Sequence, residues 1–328
     1  MTPEETYFRD ELIDRRERAE RTAARIGSRP DLAALLARID EALGEIEGGT
    51  FGICRTCHDP IESELLHADP LIQFCSDHLD RGARERLQAD LDLAARIQQR
   101  LLPSEAAAGS CWRTARAYLP AGPVGGDIFD LVGGGDVAGL TFVLGDVAGK
   151  GVAAALLMSN VQATFRALAP IEPDVARLAS RINHLFCRSI LESHYATLVV
   201  GSAGPDGQVE LCNAGHLPAL LVQADGVREL GATGLPAGMF CEGTYEAHRL
   251  VLAPGESLLL FTDGVTEARD AAGEEYGLAR LAARAAALAG RSAGELVAAC
   301  RADLEAYHAG SPRGDDVTIF ALERPARA

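Results

Sequence analysis

The chain is poor in aromatic residues. Phenylalanine, tyrosine and tryptophan make up 5% of its 328 residues, with a single tryptophan. Its core must therefore be aliphatic, drawn from a 48% hydrophobic content. No run of about 18 apolar residues is present, the length a membrane-spanning helix needs, so no membrane partner is expected. Met1-Thr2-Pro3-Glu4-Glu5-Thr6 is acidic and lacks the apolar stretch of a secretory signal, which predicts a cytoplasmic location. Excess positive charge is lacking too. The formal charge is −16, which argues against nucleic acid or anionic lipid as a general surface ligand and suits recruitment of divalent cations. Several catalytic patterns are missing. There is no Gly-x-Ser-x-Gly and no evident Ser-His-Asp or Cys-His arrangement. Gly149-Lys150-Gly151 has no Ser or Thr after its lysine, so it is not a P-loop.

What is present begins with two charged helices in residues 1–48. Phe8, Leu12, Ala19, Ala23 and Ile26 recur at helical spacing, and Gly27-Ser28-Arg29-Pro30 breaks the run. Asp31 is placed to cap a second helix, with Leu32, Leu35, Leu36, Ile39, Leu43 and Ile46 on one stripe. Each stripe is too narrow to stand alone. A helical hairpin, or a coiled coil with another chain, would bury both. The Arg15, Arg16, Arg18 and Arg21 face reads as a solvated surface with i,i+4 partners.

Of the eight cysteines, three fall in residues 49–80. Cys54-Arg55-Thr56-Cys57 is followed eighteen positions later by Cys75-Ser76-Asp77-His78. Two such pairs suit a tetrahedral structural zinc. His58 and His67 are nearby nitrogens that do not keep the spacing. The other cysteines, Cys111, Cys187, Cys212, Cys241 and Cys300, are expected as buried thiols rather than a disulfide framework. Residues 81–103 predict a linking helix ended by Pro103, with Leu87, Leu91, Ala94, Gln98 and Leu101 as a short heptad-like seam.

The remainder, 104–328, carries four acidic turns. They centre on Asp127 in Gly125-Gly126-Asp127-Ile128-Phe129-Asp130, Asp146 in Gly145-Asp146-Val147-Ala148-Gly149-Lys150-Gly151, Asp263 in Thr262-Asp263-Gly264-Val265-Thr266-Glu267, and Asp315 in Arg313-Gly314-Asp315-Asp316-Val317-Thr318. Strands are predicted at 113–118, 140–144, 195–201, 209–213, 219–223, 247–252, 257–261 and 319–322, with helices at 174–191, 277–289 and 293–308. Strands, then paired helices, then a strand suggest stacked sheets flanked by helices. Carboxylates brought together repel unless cations neutralise them. Hard oxygen ligands suit Mg²⁺ or Mn²⁺, and two such ions about 3.5–4 Å apart can present a hydroxide in line to a phosphoryl group.

Two resemblances sharpen this reading. Residues 49–61 with Cys75 and His78 resemble the zinc finger of the DksA/TraR family, with His78 where the family has a fourth cysteine. That family implies RNA polymerase as a partner, a secondary expectation here because the finger spans about a tenth of the chain. The four acidic turns, with Asn213-Ala214-Gly215-His216 and the entry segment Leu93–Pro103, resemble the SpoIIE/RsbU branch of the type 2C-like serine/threonine phosphatases. The resemblance implies an α+β chain: an αββα sandwich phosphatase domain at 104–328, preceded by a helical hairpin (1–48), a small zinc finger (49–80) and a linker helix (81–103). It implies two catalytic Mn²⁺ or Mg²⁺ ions besides the one structural Zn²⁺. Asp146 would serve both ions with the Val147 carbonyl assisting, Asp127 would complete one shell, and Asp263 and Asp315 the other. Asp130, Lys150, His216 and Asp316 are neighbours without an assigned part. It also implies a phosphorylated anti-anti-sigma-type regulatory protein as substrate, with control by the N-terminal region and a homodimer through the linker helix. The alternatives are a DksA/TraR-like transcription modulator with a non-catalytic phosphatase-like domain and a metal-dependent nucleotide phosphohydrolase.

Overall fold

A computed structural model describes residues 3–26, 30–79, 81–103, 111–133, 139–190, 194–308 and 314–326; at 3–4, 22–26, 30–32 and 81–86 it describes the backbone alone. The chain divides into two compact units, Met1–Leu91 and Asp92–Ala328.

In the first unit, helices α1 (Pro3–Ile26) and α2 (Pro30–Gly48) pack on each other. Helix α2 starts at Pro30, one residue before the expected cap, in keeping with proline's fitness for a first helical position. Phe8 and Leu12 of α1 meet Ile39, Ala42 and Ile46 of α2 in one buried cluster, as the apolar stripes require. Ala23, Ile26, Asp31 and Leu32 lie where side chains are not described. The cluster continues into Cys54, Ile61, Leu71 and Cys75, and takes Leu66 from the short helix α3 (Ser63–Ala68). The hairpin and the cysteine segment therefore share one core. The arginine face is paired within the chain: Arg16 with Asp40 at 2.9 Å and Glu20 at 3.3 Å, Arg15 with Asp69 at 3.0 Å. His67 leaves the cysteines and packs against Tyr7 and Phe8. Helix α4 (Arg81–Leu101) follows, and the division between the units falls within it.

The second unit is four layers deep. One antiparallel sheet has the order β1-β10-β9-β6-β7 and the other β2-β3-β4-β5-β8. The strands are β1 (Arg113–Leu119), β2 (Asp127–Gly133), β3 (Leu140–Val147), β4 (Ala196–Ala203), β5 (Gln208–Ala214), β6 (Ala219–Gln223), β7 (Gly226–Leu230), β8 (His248–Val251), β9 (Ser257–Phe261) and β10 (Val317–Glu323). Alternation along the central strands builds the layers. Phe142 and Leu144 of β3 face Phe320, Leu258 and Leu260 between the sheets, while Val143 faces outward to Val161 and Phe165. These last lie on α5 (Gly151–Leu168), which with α6 (Val175–Cys187) covers one sheet. Leu259 and Phe261 face the other way, to the cover formed by α8 (Leu278–Ala286) and α9 (Ala293–His308). The one-turn helix α7 (Asp263–Thr266) follows β9 directly. This is the αββα, α+β architecture expected from the sequence.

Some local expectations need correction. Strands β2 and β7 are additions to the expected set: the sequence of the first reads only as an acidic turn, and the second is an edge strand with polar residues on both faces. Helix α6 stops at Cys187 rather than continuing to Leu191, which lies outside the described residues, as does Arg313. Cys187 and Cys241 are not thiols. They form a disulfide, their Cα atoms 5.5 Å apart. Composition could not show that the end of α6 meets the loop after β7. Buried Asn183 brings them together: it accepts from the Gly238 amide and donates to the Phe240 carbonyl, both at 2.8 Å.

The disulfide bridges a sequence separation of 54 residues. A Cys187→Ser/Cys241→Ser double variant should lose roughly 2–4 kcal/mol in denaturant unfolding. Peptide mapping without reductant should recover the two cysteines cross-linked; two free thiols there would contradict the pairing.

Candidate functional site

The acidic turns converge where the two sheets meet. Asp127 opens β2 and lies directly opposite Asp146 near the end of β3. From the other sheet, Asp263 follows β9 and Asp315 precedes β10. Asp127 is almost wholly buried, and its Oδ2 accepts hydrogen bonds from Thr262 Oγ1 at 2.8 Å and Thr318 Oγ1 at 2.5 Å. Those hydroxyls belong to the opposite sheet, so Asp127 ties the layers together at the point where the acids collect.

Burial and mutual repulsion set the electrostatics. Asp146 is pushed up to about 8, first by burial, then by Asp263, Asp315 and Asp316. Asp263 is pushed up to about 6 by burial, with Asp315 and Glu267 adding to it. Asp127 is raised well above the usual carboxylate range by burial and by Asp146, against the two threonine bonds. Such a set is unfavourable as bare anions and demands compensation.

Two glycines allow the close approach. A methyl group on Gly126 would lie 3.2 Å from both Asp146 Oδ1 and the Val147 carbonyl oxygen. On Gly264 it would fall 2.0 Å from the Asp316 carbonyl oxygen. Asp316 is committed to the scaffold: its carboxylate accepts from the amides of Ala121 at 2.8 Å and Gly126 at 2.7 Å, fixing the turn that leads into β2. Gln98 of α4 clamps the same turn, donating to the Gly125 carbonyl at 2.6 Å and accepting from its amide at 3.0 Å.

The remaining neighbours take different parts. Asp130, three residues along β2 and so on its other face, is buried and paired with Arg166 of α5 at 2.5 Å. It stands apart from the acid cluster. His216 is buried and lowered to about 4 by that burial. Its Nε2 donates to the Phe261 carbonyl at 3.0 Å and its Nδ1 lies 2.8 Å from Thr197 Oγ1, so both nitrogens are occupied in the neutral ring. It holds β4 to β9. The sequence reading missed Thr262, Thr318, Gln98 and Tyr118, whose buried hydroxyl has no hydrogen-bond partner among the described residues. A signal for the threonines was available: both flank the third and fourth acidic turns at strand ends.

A second cluster lies in the first unit. Ligand atoms of Cys54, Cys57, Cys75 and His78 fall within 4.8 Å of one another, an arrangement of three or more such groups found nowhere else among the described residues. Cys57 Sγ is 3.7 Å from Cys75 Sγ, and Cys75 Sγ is 3.2 Å from His78 Nδ1. Two tight turns make this possible: the His58 amide donates to the Cys54 carbonyl, and the His78 amide to that of Cys75, each at 2.9 Å. His58 adopts a left-handed conformation (φ 62°) in the first turn and is not in the cluster. The donor set suits a closed tetrahedral zinc site. The four aspartates are spread more widely, as ligands shared between two hard cations would be.

Comparison with known proteins places residues 136–325 in the family model described as stage II sporulation protein E (SpoIIE). The chain is 27% identical over 192 residues to the phosphoserine phosphatase RsbU of Bacillus subtilis, covering 58% of this chain and 57% of RsbU. It is 28% identical over 264 residues to protein IcfG of a Synechocystis species, covering 72% of this chain and 41% of that protein. It thus spans about half the length of these relatives. Among solved structures, the SiaA-PP2C domain of Pseudomonas aeruginosa superposes with a TM-score of 0.65 at 23% identity, covering 75% of this chain and 99% of that one, a likeness of fold.

The raised carboxylates give a signed prediction. Asp146 holds a proton in the folded protein up to about pH 8, whereas an unfolded aspartate releases it near about 3.9. In chelator-treated protein this contribution to stability is therefore present in acid and is lost as pH rises from about 4 to 8. At pH 8 without divalent cations, Asp146→Asn should melt higher than wild type by at least roughly 2–4 °C, the effect of about 1 kcal/mol in a unit of this size. Calorimetry across pH checks it; an equal or lower melting point would refute the raised Asp146 carboxyl.

Proposed function

Because the chain belongs to the SpoIIE family, we propose that it is a metal-dependent protein phosphatase acting on phosphoserine or phosphothreonine. The observation that carries this reading is the meeting of Asp127 and Asp146 from one sheet with Asp263 and Asp315 from the other, where burial and mutual repulsion raise Asp146 and Asp263. The donors fit Mn²⁺ or Mg²⁺: they are hard oxygens, with the Val147 carbonyl beside Asp146 and a glycine-lined space at Gly126. Asp146 would hold both ions with the Val147 carbonyl assisting, Asp127 one, and Asp263 and Asp315 the other. When bound, the two cations neutralise the acids, activate the attacking water and polarise the phosphoryl group.

The chain's own residues position the site. Thr262 and Thr318 fix Asp127 Oδ2 and leave Oδ1 for a cation. Asp316 and Gln98 fix the Ala121–Gly126 turn, and hence the start of β2. The substrate in this reading is a phosphorylated anti-anti-sigma-type protein of a partner-switching circuit, which places the enzyme in the cytoplasm. The name of RsbU, a phosphoserine phosphatase, supports the residue class.

The domain reading is a helical hairpin (1–48), a zinc finger (49–80) built on Cys54, Cys57, Cys75 and His78, a linker helix (81–103) and the phosphatase domain (104–328), with the N-terminal parts regulatory. A homodimer through the linker helix draws support from Leu93 and Ile97, one turn apart and 50% and 53% exposed. Gln98, expected in that seam, is engaged with Gly125 instead.

Mn²⁺-dependent hydrolysis of p-nitrophenyl phosphate is the first test. Wild type should turn over, and Asp146→Asn should lose at least about 100-fold while keeping its circular dichroism. Folded, manganese-loaded protein without turnover on this ester or on phosphoproteins, but co-purifying with RNA polymerase, would favour the transcription-modulator reading that the cysteine cluster also allows. For the finger, elemental analysis should return one zinc per chain in wild type and a clear loss in Cys54→Ser/Cys57→Ser, with the melting of the first unit shifted down. Full zinc occupancy in that variant would remove the assignment.

A further inference from the structure

Lys150 is the only lysine in the chain; the other thirty of its 31 lysine and arginine residues are arginine. It stands between Gly149 and Gly151, immediately before α5, in the turn that follows Asp146 and Val147. Its Nζ donates to the Gly314 carbonyl at 2.6 Å and lies 3.1 Å from Asp315 Oδ2. It also reaches Asp263 electrostatically, drawing that carboxyl down against the push of burial and of Asp315. The side chain is 61% exposed and borders a cavity of about 370 Å³ beside the acids. The other cations of that cavity are turned elsewhere: Arg269 pairs with Glu275, and His308 Nδ1 meets the Arg269 carbonyl at 3.1 Å.

We propose that Lys150 is the resident counter-ion of the acidic centre, holding Asp315 while divalent cations are absent and turning to the phosphoryl oxygens of the substrate once a cation takes Asp315. The proposal rests on the two-cation phosphatase reading above. An exposed ion pair of this kind is weak and gives way to a divalent cation. The residue type matters. An ammonium is a compact charge on a flexible stem with three rotatable donors, able to exchange one oxygen for another. A guanidinium would grip the carboxylate through two parallel bonds and be harder to displace. A chain that uses arginine everywhere else has its one ammonium here. Lys150 then compensates the acids first and binds the anionic substrate afterwards, without leaving the turn that carries Asp146.

Three measurements on the full chain test this. In calorimetric titration with manganese, Lys150→Met should bind up to about fivefold more tightly than wild type, the worth of the exposed pair it removes. With p-nitrophenyl phosphate the same variant should raise KM about tenfold, with a smaller change in kcat, and Lys150→Arg should recover part of that KM. The third measurement exploits the single lysine. Lys150 is the only side-chain amine, so acylation by an amine-directed ester, read by peptide mass, reports on it alone. Inorganic phosphate should slow that acylation in manganese-loaded protein and leave it unchanged in metal-free protein. If wild type binds manganese and turns over, but Lys150→Met leaves both manganese affinity and KM unchanged and phosphate gives no protection, the proposal fails and the phosphatase reading stands. If wild type binds no manganese, both fail.

Discussion

Carboxylates gathered at the junction of two sheets repel one another, and much of the second unit holds them there against that repulsion. Neither sheet owns the cluster. Asp127 and Asp146 come from neighbouring strands of one, Asp263 and Asp315 from the ends of neighbouring strands of the other. Any slippage between the layers would separate them. The buried hydroxyls of Thr262 and Thr318, both on Asp127 Oδ2, and the Asp316 carboxylate on the amides of Ala121 and Gly126 are the cross-ties that prevent it. Each tie places a polar group in a buried setting where an unmade hydrogen bond is expensive, so the arrangement is specified as well as stabilised.

The apolar layers make the same demand from the other direction. Strands β3, β9 and β10 are buried on both faces, one against the opposite sheet and one against helices. With side chains alternating at a period of two, a one-residue slip would exchange the two layers and move every acid at the strand ends. Phe320, packed on Phe129 at 4.6 Å and Phe142 at 5.8 Å between ring centres, pins that register between the sheets. Packing and chemistry are therefore one constraint: the register that buries the leucines and valines also brings the aspartates together.

Much of this was legible in the sequence because it is local. Apolar runs ending at Gly-Asp or Thr-Asp announced strands and acidic turns, and the Cys-x-x-Cys and Cys-x-x-His pairs announced the cluster of three thiols and an imidazole. What was not legible depends on which distant segments meet. The Cys187–Cys241 disulfide needs the end of α6 beside the loop after β7. Thr262 and Thr318 are ordinary strand-end residues until the opposite sheet brings Asp127 to them. Asp130 and Asp316 look alike as second aspartates in acidic turns, yet one pairs with Arg166 on the far face of β2 and the other braces the turn before it. His216, a neighbour without an assigned part in the sequence, has both nitrogens engaged. Side-chain identity at a turn marks where chemistry can sit; the partner across the fold decides which group is free to do it.

The two clusters differ in the way their ligands differ. Thiolates and an imidazole, packed within 4.8 Å in knuckles that share the core of the helical hairpin, suit a soft tetrahedral ion sealed into the scaffold. Carboxylates spread over two sheets, partly exposed and paired with the Lys150 ammonium, suit hard ions that must admit a substrate. A closed site contributes to folding because nothing is left to bind; an open one tolerates poor stability in its empty form because binding is what relieves it. On the proposed reading the first unit is finished once, and the second is incomplete until its ligands arrive.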